Sequence, residues 1–489
     1  MAAAVLVTIA ARTSSRAVDI DLWHQMALAR EIFTSGRIPT TDPFAYTSTV
    51  TPFVNHEWGA GVVAYALAVW IGPGAVLALQ YLLIAATAGV CYACARKRGG
   101  GIIEWAPLAV PAIFLAAIGY PPVRAQEYTY LAVASLMWCL MRDDDGSRKW
   151  ILPWLAAFPL WANLHGGATV AFVLLGAHWA ERAIVRKPHL HLIGISGATL
   201  ALLFVNPYGA DYLYCLWRAL ALPRTGITEW QPVWAYSTPV FICYIVCIAA
   251  AAFCLVAAAW RHRGVPFGAA IVVTTAILAA MHVKLVPVFA IAFICLVPGW
   301  LAATPAPRFT SRLYREWGDL LPIPWLICLV LMVYCWAANS GAGLWHLTVP
   351  GRDGIDSRPP YPVGAVDYLR SQEFTGNLMT TFEYGAYCTW KLYPRVKVSL
   401  DGRYELVYTQ QLVDRTQDFY AAKPGWQTML RDYATDVTLI PARAKVARAM
   451  PESGWERVYS DSEYELWARP GLQLPHVHRS EPPPDGVFP

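Results

Sequence analysis

The chain has 489 residues, of which 56% are hydrophobic and only 15% are charged, and its formal net charge is +5. Soluble domains carry about 25% charged residues, so this composition excludes an ordinary soluble protein and indicates a polytopic membrane protein. The small net charge gives no reason to expect a nucleic-acid partner.

The first segment, residues 1–11, is apolar but much shorter than the roughly 20 residues that a spanning helix needs. We expect either a truncated first helix or a short helix that residues 13–18 complete. No basic region precedes the apolar run, which argues against a cleaved signal peptide.

A long polar segment, residues 19–58, follows this first apolar run. Its ionisable residues include Asp19, Asp21, His24, Asp42, His56 and Glu57. Acids and imidazoles beside a bilayer are costly to desolvate, so they commonly mark chemistry or transport. We interpret the first four of these residues as candidate catalytic residues and the last two as candidate substrate-binding residues.

Asp21 is the strongest candidate within this segment. It precedes His24 by three residues, so the two share one face if the segment is helical. Its neighbours Leu22 and Trp23 are apolar, which leaves the acid without an obvious structural explanation. For Asp42, in the motif TTDPF, a cap or turn role stays open.

Residues 58–71 are apolar on one helical face and end at a Gly-Pro-Gly break, which predicts an interfacial helix on the membrane surface. Glu57 directly precedes this helix, where a carboxylate also favours the positive end of the helix dipole. Further apolar runs follow at residues 73–95, 103–121, 128–141, 150–164, 168–184, 190–205, 239–260, 265–281, 285–303 and 321–338. Together with the N-terminal segment, they predict about eleven membrane spans.

The loops between these runs alternate in charge. One set is basic and, by the positive-inside rule, faces the cytoplasm; its basic residues lie at positions 96–98, 142, 148–149, 182, 186–187, 261, 263, 308, 312 and 315. The other set then faces outward and contains the first loop, residues 121–128, 161–167, 206–232 and 281–284, and everything after residue 338. The candidate functional residues all fall in the outward set. The loop charges and the positions of these residues therefore indicate the same topology.

Several cationic and polar residues lie in these outward loops, namely Arg124, Gln126, Asn163, His165, His282 and Lys284. Arg offers a planar fork to a phosphate and Lys offers a point charge, so the set predicts a basic pocket for a phosphate. Snorkelling is the alternative for Lys284. A helix-packing hydrogen bond beside Gly166-Gly167 is the alternative for Asn163 and His165.

The longest of the later outward loops, residues 206–232, contains two further motifs. Asn206 and Tyr208 belong to NPYG, which is a turn signal and also a candidate binding motif. Glu229, Trp230 and Gln231 form a polar and aromatic cluster of the kind that binds a sugar ring by stacking and hydrogen bonding. An interfacial belt position is the alternative for the tryptophan.

From about residue 359 to 470 the composition becomes that of a soluble domain, and alternating short strands and helices predict a small α/β domain. Asp401 and Arg403 follow the strand RVKVSL. The carboxyl end of such a strand is a favoured ligand position, although Asp-Gly is also a good turn. We therefore predict a transmembrane domain (1–340) with a large first outward loop (19–72), an extracytoplasmic α/β domain (341–470) and a disordered tail (471–489).

Eight short motifs occur in a fixed order along the chain: DLWH, TDPF, NHEW, VRAQ, NLHGG, NPYG, EWQP and DGRYEL. The order of these motifs and their placement in loops resemble those of the GT-C superfamily of membrane glycosyltransferases, above all those of a large bacterial group. The resemblance to the catalytic subunits of oligosaccharyltransferases is more distant. The resemblance implies a GT-C-like membrane fold, a place in the bacterial cytoplasmic (inner) membrane, and a donor sugar linked to a polyprenyl phosphate or diphosphate.

In that superfamily an acidic residue of the first outward loop acts at the catalytic centre. Carried over, the resemblance implies that Asp21 is the general base, or a ligand in a metal-dependent variant. Arg124, His282 and Lys284 would then hold the leaving lipid phosphate and stabilise its growing charge. We expect these residues to converge in one outward-facing cavity.

The chain also departs from the superfamily pattern. It lacks a second DxD motif in the loop after the third span, and it lacks a WWD motif in the C-terminal part. Transfer of an oligosaccharide to protein asparagine is therefore not supported. No cofactor is certain, and a divalent cation stays an open alternative.

The expected partners are a lipid-linked sugar donor, membrane lipid and an extracytoplasmic acceptor that is a glycan, a lipid or a protein. A related enzyme that joins pre-made glycan chains is a second possibility. Two non-enzymatic alternatives are a transporter or flippase for lipid-linked sugars and a scaffold for cell-envelope glycan assembly. A transporter is expected to have charged residues and helix breaks in mid-span. The ionisable residues here gather at the outer ends of the runs, which favours chemistry at the interface.

Overall fold

The structure, a computed structural model, describes residues 5, 8–9, 12, 17–120, 122–221, 228–304, 326, 330, 346–351, 360–481 and 483–489. The contacts divide the chain into two compact units. The helical unit comprises Met1–Arg16, Leu77–Asn206 and Pro223–Trp345, and the sheet unit comprises Ala17–Val76, Pro207–Leu222 and His346–Pro489.

The described helices of the N-terminal and middle parts of the chain are α1 (Ile20–Ser35), α2 (Trp58–Tyr65), α3 (Pro73–Lys97), α4 (Ile102–Ala116), α5 (Gln126–Asp144), α6 (Ile151–Leu164), α7 (Val170–Ile184), α8 (Leu190–Leu202), α9 (Ala210–Ala221), α10 (Val233–Tyr236), α11 (Thr238–His262), α12 (Ala269–Met281) and α13 (Val286–Ala302). The C-terminal part contains α14 (Val363–Ser371), β1 (Gly376–Met379), α15 (Gly385–Leu392), β2 (Val396–Val398), α16 (Tyr404–Val407), α17 (Gln410–Tyr420), α18 (Thr428–Asp432), β3 (Val437–Pro441), α19 (Lys445–Ala449), β4 (Glu456–Ser460), β5 (Tyr464–Ala468) and β6 (Val477–His478).

Within the described residues, four helical stretches are long and apolar enough to cross a membrane: Pro73–Lys97, Ile102–Gly119, Thr238–Arg261 and Val283–Ala302. Shorter apolar helices lie at Trp58–Ile71, Ile151–Leu164, Leu190–Leu202 and Ala269–Met281. The predicted helical membrane protein is confirmed to this extent. The run predicted at residues 321–338, apart from residues 326 and 330, and most of the N-terminal run lie outside the described residues.

Helix α13 occupies the interior of the helical unit. All of its residues from Val286 to Trp300 are buried, and it packs against α4, α5, α11 and α12. A helix that is covered on every side must be apolar all round. Its sequence, VPVFAIAFICLVPGWLA, accordingly has no polar face.

The sheet unit is built on a six-stranded sheet with the strand order β2-β1-β3-β5-β4-β6. Strand β1 pairs in parallel with both β2 and β3, and β5 pairs antiparallel with β3 and β4. Helix α15 connects the parallel strands β1 and β2, as a crossover helix does. The predicted small α/β domain in the C-terminal part is thereby confirmed.

The first loop belongs to this sheet unit, which differs from the predicted domain division. The backbone N–H of Val398 donates to Phe44 (3.0 Å), that of Tyr46 donates to Val398 (3.1 Å), and that of Val50 donates to Val407 (2.7 Å). Strand β2 would otherwise be an unpaired edge of the sheet. Because the loop supplies these partners, it folds with the C-terminal part of the chain rather than as an extension of the spans.

The C-terminal tail, predicted as disordered, is also structured in its described residues. Strand β6 pairs in parallel with β4. Further along, the backbone N–H of Gly486 donates to the carbonyl of Val349 (2.7 Å), and Phe488 is buried. The proline-rich composition predicted disorder, but strand pairing and one buried aromatic ring hold the segment on the sheet unit.

Candidate functional site

Helix α1 positions the candidate acid of the first loop. Asp19 is the N-cap residue of this helix, and its Oδ1 accepts a hydrogen bond from the backbone N–H of Asp21 (2.8 Å), as capping residues do. Asp21 lies in the first helical turn with 38% of its side chain exposed. His24 lies one turn later on the same face and is 6% exposed. Its Nδ1 is 3.9 Å from Oδ1 of Asp21.

A buried ion-pair cluster lies at the carboxyl end of β2. Arg403 donates from Nε to Oδ1 of Asp401 (2.8 Å) and from Nη2 to Oδ2 (2.6 Å), which is a bidentate pair. The same guanidinium donates from Nη1 to Asp42 and from Nη2 to the hydroxyl of Tyr408 (3.1 Å). The side chains of both acids are fully buried. One guanidinium therefore neutralises carboxylates from two distant parts of the chain.

The acid of the first loop and the Asp401-Gly402-Arg403 motif are neighbours in the sheet unit. A Cβ atom added at Gly402 would lie 3.0 Å from Oδ1 of Asp21. A larger residue at position 402 would therefore press on the Asp21 carboxylate in its present position. The structure thus brings together two motifs that the sequence identified separately.

Asp42 is held on two sides within this cluster. Besides its ion pair with Arg403, its Oδ2 accepts a hydrogen bond from the backbone N–H of Ala45 (2.9 Å). A carboxylate that is fully buried and doubly bonded has no free face for a substrate. Its geometry is that of a structural turn residue, which is the alternative that the sequence left open. The candidate catalytic role of Asp19 meets the same objection, because that side chain is buried and caps α1.

The protonation states follow from burial and from the neighbouring charges. Burial lowers the pKa of His24 to about 4, against the opposing influence of Asp401, so its imidazole is neutral at pH 7. For Asp401, burial alone would raise the pKa, but the charge and hydrogen bonds of Arg403 lower it overall. A neutral imidazole thus lies beside an ionised, paired carboxylate.

His56 and Glu57 lie at the junction of α1 and α2. Glu57 accepts a hydrogen bond from Nε2 of Gln25, and its backbone N–H donates to Oδ1 of Asn55 (2.9 Å). Nε2 of His56 is 3.3 Å from Oε1 of Glu57. The charge of Glu57 also acts on His24. These contacts join the two helices and place a second carboxylate near the imidazole.

The helical unit contains a second cluster, formed by residues of the predicted phosphate pocket. Arg124 Nη1 donates to Oε1 of Glu229 (2.7 Å), and Nζ of Lys284 is 3.8 Å from Oε2 of the same acid. The ring of Trp230 lies 5.3 Å from that of His282 and 5.5 Å from the Lys284 ammonium. The sequence predicted these residues from separate loops, and the structure places them together.

Two hydrogen bonds to backbone carbonyl groups hold the two loops of this second cluster together. The backbone N–H of Val283 donates to the carbonyl of Gln231 (3.0 Å), and Nδ1 of His282 lies 3.0 Å from the carbonyl oxygen of Trp230. The side chain of His282 therefore fixes the tryptophan backbone. The carboxylate of Glu229 occupies a position between two cations, where it partly neutralises them.

The other predicted binding residues make contacts that stabilise helix ends and helix packing. Nε2 of Gln126 donates to the carbonyl of Gly119 (2.6 Å). Nδ2 of Asn163 donates to the carbonyls of Pro159 and Val205 (2.7 and 2.8 Å). Nδ1 of His165 lies 2.8 Å from Oγ1 of Thr129, in a buried position. The packing alternative for Asn163 and His165 matches these contacts.

The two residues of the NPYG motif fall in different units. Asn206 belongs to the helical unit, where its Nδ2 donates to the carbonyl of Leu203. Tyr208 belongs to the sheet unit and is buried. Asn55 of the first loop provides a backbone hydrogen bond to Tyr208. The asparagine of this turn therefore has a structural role, and the tyrosine lies near the first loop.

Sequence reasoning missed a buried carboxylate cluster in the helical unit. Asp143 is fully buried and lies within 3.1 Å of Nε2 of His178 and 2.8 Å of Nε2 of His191. Arg148 and Arg182 also pair with it. The motif RDDDG at residues 142–146 was the available signal, because three consecutive acids beside basic residues require partners.

A comparison of the chain with models of protein families finds no match, and a comparison with curated proteins finds none either. In the described part of the chain, no group of three or more His, Cys, Asp or Glu residues is arranged to hold a metal ion. The divalent cation stays a prediction.

Proposed function

We propose that the protein is a membrane glycosyltransferase that transfers a sugar from a polyprenyl-phosphate-linked donor to an extracytoplasmic acceptor. The supporting observation is the half-exposed carboxylate of Asp21 beside a buried, neutral His24 and the Asp401-Gly402-Arg403 motif. Of the predicted catalytic acids, Asp21 alone combines exposure with a position next to a second predicted motif. Asp19 and Asp42 are buried in structural contacts.

Asp21 acts as the general base in this proposal. The acceptor oxygen forms a bond to the anomeric carbon while the bond between that carbon and the lipid phosphate breaks. The leaving lipid phosphate takes the bonding electron pair, and Asp21 takes the proton of the acceptor. A general base of this kind contributes about 10²–10⁴-fold to a rate.

The cluster of the helical unit is proposed to bind the phosphate of the donor. Arg124 and Lys284 supply the positive charge, and a phosphate would compete with Glu229 for both. The ring of Trp230 offers an aromatic surface close to these cations. Before the donor binds, Glu229 occupies both cations.

The proposed membrane topology is based on the charges of the loops. We infer about eleven spans, basic loops in the cytoplasm, and the C-terminal α/β domain on the extracytoplasmic side of a bacterial cytoplasmic membrane. Four long apolar helices in the described residues support the membrane part of this topology. A protein with this orientation would meet lipid-linked donors on the outer face.

The test is glycan profiling of a deletion strain that is complemented with the wild type, with Asp21→Asn or with Asp367→Asn. Asp367 is a half-exposed carboxylate of the same unit, on α14, and serves as the matched control. We expect the wild type and the control to restore the missing glycan, and we expect Asp21→Asn to reduce it at least 100-fold. Protein levels and thermal midpoints establish that each variant folds.

Two results would contradict the proposal. The first is an unchanged glycan profile in the deletion strain, which favours a scaffold. The second is full activity of Asp21→Asn. Transfer by the purified chain in detergent, where no membrane separates two compartments, distinguishes an enzyme from a flippase.

A further inference from the structure

We propose that Asp21 and His24 together bind a single hydroxyl group, so that the acceptor of the reaction is an alcohol rather than an amide or a phosphate. This inference rests on the proposed function and specifies the chemical class of its acceptor. It depends on the contacts of one helical turn and on the charges that surround it.

The first argument is the unsatisfied nitrogen of His24. Its Nδ1 is buried and has no hydrogen-bond partner among the described residues. Burying such an atom without a partner has a free-energy cost. The imidazole is positioned firmly, because it lies on a helix that packs against both α2 and α15. A buried polar atom without a partner, 3.9 Å from a partly exposed acid, indicates a ligand.

The second argument is the distance between the two groups. Nδ1 of His24 and Oδ1 of Asp21 are 3.9 Å apart, which is too far for a direct hydrogen bond. One oxygen atom can lie about 2.8 Å from each of them. A hydroxyl at that point donates its proton to the carboxylate and accepts from Nδ1–H of the neutral imidazole. An amide N–H can donate to the acid but has no lone pair for the imidazole.

The third argument is electrostatic. Asp21 lies 3.9 Å from the imidazole, and the charges of Glu57 and Asp401 also act on it. Arg403, whose charge opposes them, is shared between Asp42 and Asp401. These four carboxylates outnumber the one guanidinium, and His56 adjoins Glu57. A phosphate or carboxylate acceptor would be repelled from this position, whereas a neutral hydroxyl would not.

The two-point arrangement also suits the reaction. The imidazole orients the oxygen lone pairs, and the carboxylate removes the proton as the new glycosidic bond forms. His24 is a binding residue in this scheme, and Asp21 remains the base. Its contribution therefore depends on a hydrogen-bond donor at the position of Nδ1, which an asparagine side chain can supply.

The experiment compares His24→Asn and His24→Leu in the full-length chain. Glycan restoration in the deletion strain measures transfer, and quenching of tryptophan fluorescence by polyprenyl phosphate measures donor-side binding in the purified protein. We expect His24→Leu to lose at least tenfold in transfer with unchanged binding of polyprenyl phosphate. We expect His24→Asn to recover most of the transfer.

Every other pattern overturns the two-point site. Wild-type transfer by His24→Leu shows that Nδ1 is not needed. Loss of polyprenyl phosphate binding in both variants indicates a purely structural imidazole. Failure of both variants with intact binding shows that a donor at Nδ1 is not what the reaction requires. A deletion strain with normal glycans, in contrast, contradicts the proposed function itself.

Discussion

At the scale of single residues, Arg403 is the buried cation that balances two acids of the sheet unit. It pairs with the fully buried carboxylates of Asp42 and Asp401. The pKa of Asp401 is lowered, so the stability that this pair contributes is present at neutral pH and is lost as the pH falls through that lowered pKa. Acid conditions should therefore weaken the contact between the first loop and β2.

Replacement of Arg403 tests this balance. Arg403→Met leaves two buried carboxylates without a counterion, so we expect the free energy of unfolding to fall by about 3–5 kcal/mol. Thermal unfolding of the purified protein in detergent measures the loss. The control is Arg469→Met, which removes a half-exposed pair with Asp436 and should cost about 1 kcal/mol or less. Equal midpoints for the two variants would contradict a structural role of Arg403.

The sequence predicted some of these residues and not their partners. Spacing alone placed Asp21 and His24 on one helical face, and the structure has them there. The strand-end rule selected Asp401 and Arg403. No local pattern could show that Asp42 would lie against Arg403, because that pair depends on the packing of the first loop along β2.

At the scale of elements, α1, which carries the candidate acid, packs closely against α2. The two helices pack closely because Gly61 has no side chain: a Cβ atom there would overlap the carbonyl group of Gln25. Gln25 follows His24 directly in the chain. Displacement of α2 would therefore move the helical turn that presents the imidazole.

Gly61→Ala should consequently reduce both stability and transfer. Overpacking at a close helix contact costs about 1–3 kcal/mol, and we expect a lower thermal midpoint together with a severalfold loss of glycan restoration. The matched control is Gly194→Ala in α8, where an added Cβ meets no atom within 4 Å. Alanine is the better helix former, so the control should be neutral or slightly stabilising. Transfer at the wild-type level by Gly61→Ala would argue against a fixed α1 position.

Composition predicted the apolar helices well and the tail poorly. A spanning or buried helix needs a continuous apolar run, so α3, α6 and α11 begin and end near the predicted bounds. The tail has no such run. Its order comes from pairing with β4 and from one aromatic ring, and neither contact can be read from the proline-rich sequence.

At the scale of the whole molecule, the sheet unit collects three separate stretches of the chain, and Trp23 joins the first of them to the third. The buried indole lies 6.0 Å from the ring of Tyr361, 5.2 Å from Tyr387 and 5.2 Å from Phe488. Its Nε1 donates to the hydroxyl of Tyr361 (3.2 Å). Because Trp23 lies directly before His24, this aromatic core supports the turn that holds the candidate site.

Removal of the tail ring tests whether the end of the chain stabilises that turn. Phe488→Ala opens a cavity beside Trp23, and large-to-small changes of this kind cost about 3–5 kcal/mol in a well-packed core. We expect a clearly lower thermal midpoint and faster proteolytic cleavage of residues 471–489. Val487→Ala is the control, because that neighbouring side chain is 78% exposed and its loss should change the midpoint little. If the two variants unfold at the same temperature, the tail does not support α1, and the position of His24 is maintained by other contacts of α1, such as those with α2, α15 and Tyr361.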